Sequence, residues 1–328
     1  MLQLFRTNQF SIGILLLLYA VILKIGAFFV PQHQEVSPIT GYLYGRVMGW
    51  IPDSTIFQST LAISLVFLGG FLMTVVVIRQ RLEIEVTLFS GVFYILVSAL
   101  ILNYLHPSGA VMGAIFLILS LLNLLNSPNK VYNAIFLFNT GLFIGMASLF
   151  YWSFWIFIIW AILSVFQLLG ARFKEAMMVI TGFIIPFFYQ GLDYFRNNHF
   201  ADFWHDLIPL HFGIEPLPLP HDNLNEWIGG GLVLILLLIT LAGQSKNIKK
   251  KQVIIRRKIN AIYWMIPFSI IAVFIQANGQ FSDFFLLSIP ISVMLAFQFT
   301  RIRSGSAELL HIVLVAIAIY LSFSISWA

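Results

Sequence analysis

The chain has 328 residues, 60% of them hydrophobic and 9% charged, with a formal net charge of +5 and no cysteine. A soluble globular fold is excluded, because so much apolar surface has no interior of its own to occupy in a chain this size. Disulfides, thiolate nucleophiles, iron–sulfur clusters and covalent c-type haem are excluded with the missing thiols.

A helix needs about 20 apolar residues to cross the hydrocarbon core, which leaves room for about eleven crossings and no separate soluble module. Hydropathy predicts an all-α polytopic transmembrane helix bundle, a single integral membrane domain over 1–328. Its spans lie near 11–30, 55–78, 86–103, 109–125, 133–151, 153–170, 176–191, 227–243, 260–276, 283–300 and 306–325. The first run has no small-residue cleavage site after it and reads as a retained span.

Eleven spans put the termini on opposite sides. With Arg6 cytoplasmic, the inner connections hold Arg79, Arg81, Lys130, Arg172, Lys174, the seven cations from Lys246 to Lys258, Arg301 and Arg303, leaving only Lys24, Arg46 and Arg196 elsewhere. The positive-inside rule then predicts a cytoplasmic N-terminus and a C-terminus on the opposite side, which is the periplasmic side in a bacterial inner membrane. The basic inner loop, 244–259, reads as a solvated topology signal or as a contact for anionic lipid headgroups.

Two outer segments, 31–54 and 192–226, are too long to be turns. The side they occupy holds nine of the thirteen carboxylates, Glu35, Asp53, Asp193, Asp202, Asp206, Glu215, Asp222, Glu226 and Asp283, and six of the seven histidines, His33, His106, His199, His205, His211 and His221. Acidic residues contribute little to orientation, so this gathering is a clue to function.

In the first segment a short amphipathic helix is predicted over Thr40–Trp50. Asp53, after Pro52, suits an N-cap of the second span. Glu35 has no cap to make and is the candidate general base or metal ligand, with a solvated loop carboxylate as the plain alternative. In the second segment Asp202, His205 and Asp206 stand at i, i+3 and i+4, one face of a surface helix whose Phe203 and Trp204 turn away. Carboxylate and imidazole ligands so spaced suit a divalent cation, and the same residues suit a purely structural surface helix. Ile214 to His221 alternates proline with apolar residues and reads as an extended strap.

Lys24 lies inside the first span, where a charge costs at least about 2.5 kcal/mol unless it snorkels, pairs or faces water. It reads either as a snorkelling side chain or as a partner for an anionic headgroup or phosphate. Arg196, just beyond the seventh span, is a second candidate phosphate partner. Asn103, Asn123, Asn139, Gln167, Gln190 and Gln276 are expected to bond between helices, and Gly141, Gly145 and Ala147 to form a close-packing face. Pro186 and Pro267 are expected to kink their spans. Without a P-loop, a Rossmann fingerprint, an HExxH pair or a nucleophile elbow, ATP-driven transport and zincin proteolysis are disfavoured.

The segment Asn139-Thr140-Gly141-Leu142-Phe143-Ile144-Gly145-Met146-Ala147-Ser148-Leu149-Phe150-Tyr151-Trp152, with His106-Pro107 before the fourth span, resembles the C-type superfamily of polytopic lipid-linked-sugar glycosyltransferases. So does the layout of one span, an outer loop with a short helix, then tightly paired spans. The Phe-, Ile- and Asn-rich usage also resembles multi-span inner-membrane proteins of Bacteroidota, which implies a bacterial inner membrane. The first resemblance implies transfer of a sugar from a polyprenyl-phosphate donor at the outer face, with an acidic residue of the first outer loop as base or metal ligand. By position that residue is Glu35, with Asp53 as the fallback, although Gln32, His33 and Gln34 intervene where the family places its acid directly after the span.

Three functions follow as expectations. The first is a glycosyltransferase-like protein of envelope glycoconjugate assembly, with Glu35 or Asp53 catalytic, Lys24 and Arg196 on the substrate phosphate, and Asp202, His205 and Asp206 on a divalent cation such as Mg or Mn. The second is a non-catalytic envelope assembly scaffold docking a protein partner through outer aromatic residues. The third is a carrier or flippase for an anionic lipid or metabolite that uses Lys24. Membrane lipids are partners in all three, and nucleic acid in none.

Overall fold

Inside hydrocarbon every peptide group must find its partner within the protein, so apolar segments of this length form helices. A computed structural model of the chain describes residues 5, 10–28, 41–52, 54–83, 85–101, 107–128, 133–170, 173–198, 200–207, 224–243, 251–274 and 281–324. Among these, regular structure is helical throughout: α1 Phe10–Leu23, α2 Tyr42–Met48, α3 Thr55–Arg79, α4 Phe89–Leu100, α5 Gly109–Asn126, α6 Asn133–Phe150, α7 Phe157–Leu169, α8 Phe173–Arg196, α9 Phe200–Leu207, α10 Leu224–Ala242, α11 Val253–Phe274, α12 Ser288–Phe299 and α13 Ser304–Ser324. Short 3₁₀ turns cover Ile25–Phe28, Trp152–Ile156 and Phe281–Leu287.

Each of the eleven predicted spans coincides with one of these helices, and α2 and α9 occupy the two predicted surface segments. Among the described residues, six helical segments are long and apolar enough to cross a membrane on their own: α3, α5, α6, Trp152–Leu169, α8 and Ser304–Phe323. Tyr151 is extended and separates α6 from the 3₁₀ stretch Trp152–Ile156, which runs directly into α7.

The core is where the predicted boundaries fail most. The run 86–103 shrinks to the 12-residue α4, about 18 Å long, well short of a bilayer core of about 30 Å. All twelve of its residues are buried. It packs against α12, itself buried at eleven of twelve positions, while α1, α3, α10 and α13 close around the pair. An apolar surface on every side is what a helix enclosed by protein requires.

Elsewhere two helices meet backbone to backbone. A Cβ on Gly141 would lie 1.8 Å from the Val179 carbonyl oxygen, and one on Gly182 would lie 2.1 Å from that of Phe138. The α6–α8 seam therefore exists only because these positions are glycine, as the small-residue pattern predicts. Helices α8 and α11 run through Pro186 and Pro267 without a break.

Polar glue lies at other residues than those expected. Asn123 donates to Leu119 in its own helix, and the buried Gln190 Oε1 has no hydrogen-bond partner among the described residues. The bonds between helices come instead from Ser120 to the Thr140 carbonyl, Trp160 Nε1 to the Ala261 carbonyl, and Gln80 Nε2 to Asn126 Oδ1 at 2.7 Å. Asn103 and Gln276 lie outside the described residues.

The connections sort into two ends. At one, Gly41 N–H donates to the Phe150 carbonyl, Tyr44 Oη to the Pro107 carbonyl, Tyr151 Oη to Asp283, and Gly26 N–H to Ser322 Oγ. At the other, Leu88 N–H donates to the Phe5 carbonyl, Lys258 Nζ to Gln80 Oε1, Arg257 to the Leu168 carbonyl, and Lys251 Nζ to Glu83. Phe5 at one end and Ser322 at the other agree with an odd number of crossings.

Candidate functional site

The two long outer segments meet. Helix α2 starts flush on the end of α6, because Gly41 places its N–H 3.0 Å from the Phe150 carbonyl, where a Cβ would lie 2.1 Å from the Leu149 oxygen. From there Tyr42 Oη and Arg46 Nη2 both donate to Asp193 Oδ2, and Arg196 Nη2 reaches Asp193 Oδ1 at 3.4 Å. The Arg46 guanidinium also stacks over the Tyr42 ring, 4.8 Å from its centroid. One carboxylate is thereby shared by two guanidiniums and a phenol, which leaves the cluster with one net positive charge.

Burial first, and the hydrogen bond to Asp193 second, push the Tyr42 phenol up to about 12. It stays protonated at any physiological pH and acts as a fixed donor. Tyr44, partly buried and donating to the Pro107 carbonyl at 3.1 Å, is raised as well, by desolvation.

Beside this cluster α9 folds back on the end of α8. Phe203 is buried against Tyr194, with ring centroids 6.0 Å apart, and stacks on Phe200 at 5.7 Å. Asp202 and Trp204 remain exposed. The helix has the predicted register, which puts positions 202, 205 and 206 on one face. The side chains of His205 and Asp206 lie outside the described residues. Among the described residues no group of three His, Asp or Glu side chains that could hold a metal ion stands together.

Glu35 and Asp53 lie outside the described residues. The cap expected of Asp53 is made by its neighbour: Ser54 Oγ accepts the Phe57 N–H at 3.3 Å, and its shorter side chain reaches the first turn from the N-cap position. Lys24 does not snorkel. It is 1% exposed, enclosed where the 3₁₀ turn after α1 packs against α3 and α13. Arg196 is the last residue of α8, largely exposed and 3.4 Å from Asp193 Oδ1.

Asp193 and Arg46 are the residues that sequence reasoning passed over as site members. The available signal was that Arg46 and Arg196 are two of only three cations off the basic side. Two cations on the side that orientation leaves free of them call for a local partner.

No family model matches the chain, and no curated protein matches it. Its fold is similar to the crystal structure of the Archaeoglobus fulgidus oligosaccharyltransferase in the apo form, at a TM-score of 0.49 and 11% identity, over 95% of this chain and 51% of that one. The chain spans about half the length of that structure.

Proposed function

We propose that the protein is a glycosyltransferase-like membrane protein acting on a polyprenyl-phosphate-linked substrate at the outer leaflet of a bacterial inner membrane, with the α2–α9 end periplasmic. The observation that carries this reading is the junction of the two outer segments through Asp193. It ties the loop that bears Glu35 to the stretch that bears Arg196 and Asp202. A cationic cluster with interfacial aromatic side chains suits a phosphate held at headgroup depth, because guanidinium matches phosphate geometry and aromatic rings settle at the membrane edge.

In this reading Glu35, with Asp53 as its alternate, accepts the proton of an acceptor hydroxyl. The acceptor oxygen bonds to the anomeric carbon, the bond from that carbon to the phosphate oxygen breaks, and polyprenyl phosphate leaves. Arg196 offsets the charge that gathers on the departing phosphate, while Lys24, enclosed by protein, does not reach it. Asp202, His205 and Asp206 would hold a divalent cation, which would neutralise phosphate charge. The test is incubation of purified protein with polyprenyl-phosphate sugars, wild type beside Glu35→Gln and Arg196→Gln. Transfer by the wild type and its loss in Glu35→Gln is expected. Equal transfer by both, or none by either, removes the assignment.

A second reading, a non-catalytic scaffold that docks an envelope protein, is favoured by one feature. Trp50, at the end of α2, is 86% exposed, and Trp204 and Trp227 are exposed as well. Exposed tryptophan anchors partners as readily as membranes. Crosslinking from position 50 that recovers lipid and no protein would remove it.

A further inference from the structure

At the end of the bundle opposite α2 and α9, the basic side chains divide into two groups. Lys251 and Lys258 are committed to the protein. Lys251 Nζ donates to the Leu82 carbonyl, lies 2.9 Å from Glu83 Oε2 and sits 4.4 Å from the Phe297 ring centroid, and Lys258 Nζ bonds Gln80 Oε1 at 2.8 Å. Arg79, Arg81, Arg301 and Arg303 are all exposed, and none makes a side-chain hydrogen bond or ion pair among the described residues. Arg79 ends α3 and Arg81 lies in the turn after it, while Arg301 and Arg303 belong to the turn after α12. Lys251 holds these turns together, since it grips Leu82 and Glu83 in one and Phe297 beside the other.

Arg81 carries the argument furthest. Helix α3 ends with Leu82 N–H bonded to the Val77 carbonyl and Arg81 N–H bonded to the Ile78 carbonyl. This is the pattern that places the residue after the helix in the left-handed region, a position glycine normally fills. Arg81 occupies it at φ 49°. A side chain kept where glycine is the easier choice points to use of that side chain, and here it is a guanidinium at the edge of a membrane helix.

We propose that Arg79, Arg81, Arg301 and Arg303 form a binding rim for the phosphate headgroups of anionic phospholipid. The lipid, rather than a free anion, is the occupant that fits, because the apolar Ile302 and Val86 are exposed among these arginines where an acyl chain would lie. Guanidinium favours phosphate through paired hydrogen bonds. This inference stands independently of the catalytic reading.

The experiment titrates the full chain in neutral detergent with phosphatidylglycerol, phosphatidylcholine or inorganic phosphate, following lipid bound per chain and the thermal midpoint. Phosphatidylglycerol is expected to bind and raise the midpoint, and the other two to do neither. Each arginine changed to glutamine lowers affinity about fivefold, the ratio for one cation near an anionic surface. Arg81→Gly separates binding from folding, because it relieves the backbone: it should raise the midpoint in phosphatidylcholine while weakening phosphatidylglycerol binding about fivefold. Undiminished phosphatidylglycerol binding by the fourfold glutamine variant or by Arg81→Gly overturns the proposal. So does an equal response to inorganic phosphate.

Discussion

Arg46 and Asp193 lie 147 positions apart, yet the guanidinium of one donates directly to the carboxylate of the other. Through this bond and the parallel one from Tyr42, helix α2 is fastened over the end of α8. Asp193→Asn keeps the shape but removes the charge on which three donors converge. A loss of about 1–2 kcal/mol is expected, with faster amide exchange confined to α2. A double-mutant cycle with Tyr42→Phe checks it, and the two changes should couple rather than add.

Tyr42 supplies a pH dependence. Its phenol is raised from 10.0 to about 12 in the folded protein. A group raised on folding gives stability that is complete below its unfolded value and is lost as pH climbs through the folded one. The α2 clasp should therefore hold up to pH 10.0 and weaken as pH rises toward about 12. Ultraviolet titration of phenolate, with Tyr42→Phe as the subtraction, should show this one ring ionising late.

The α6–α8 seam tests packing. With only 1.8 Å from a Cβ at position 141 to the Val179 oxygen, Gly141→Ala must push two backbones apart and should cost about 1–3 kcal/mol. Gly231→Ala is the control, because nothing lies within 4 Å of its Cβ site. In mid-helix that change should be neutral or stabilise by up to about 1 kcal/mol. Comparison of thermal midpoints in one detergent decides between them.

At the basic end, Lys251→Met removes the partner of Glu83, whose side chain is 12% exposed. Leaving a mostly buried carboxylate alone should cost about 3 kcal/mol. Glu83→Gln combined with Lys251→Met should recover part of that loss, and unfolding in a denaturing detergent reads both.

How far the fold was legible follows from where the physics is local. Apolar runs of crossing length fix helices through backbone hydrogen bonding alone, so α3, α5, α6, α8 and α13 could be read within a few residues. The amphipathic runs at α2 and α9 were equally local. Helix α4 was not, because a run that is apolar on all sides reads alike whether lipid or protein surrounds it. The burial of Lys24 has the same origin: the sequence places a cation near a membrane edge, and only packing by α3 and α13 decides whether it reaches water. Asp193 escaped as a site residue because its partners come from a distant helix. The cap moved from Asp53 to Ser54 because a one-residue shift of helix start lies below what composition resolves.

The central claim is that α2 and the end of α8 share one water phase, opposite the basic turns. The chain has no cysteine of its own, so single-cysteine variants at the exposed positions Trp50, Asn197, Lys174 and Arg303 can be labelled in intact cells with a membrane-impermeant maleimide. The account predicts that Trp50→Cys and Asn197→Cys label from outside, while Lys174→Cys and Arg303→Cys label only after the membrane is opened. Labelling of positions 50 and 197 from opposite sides, or of 197 together with 303, would contradict it.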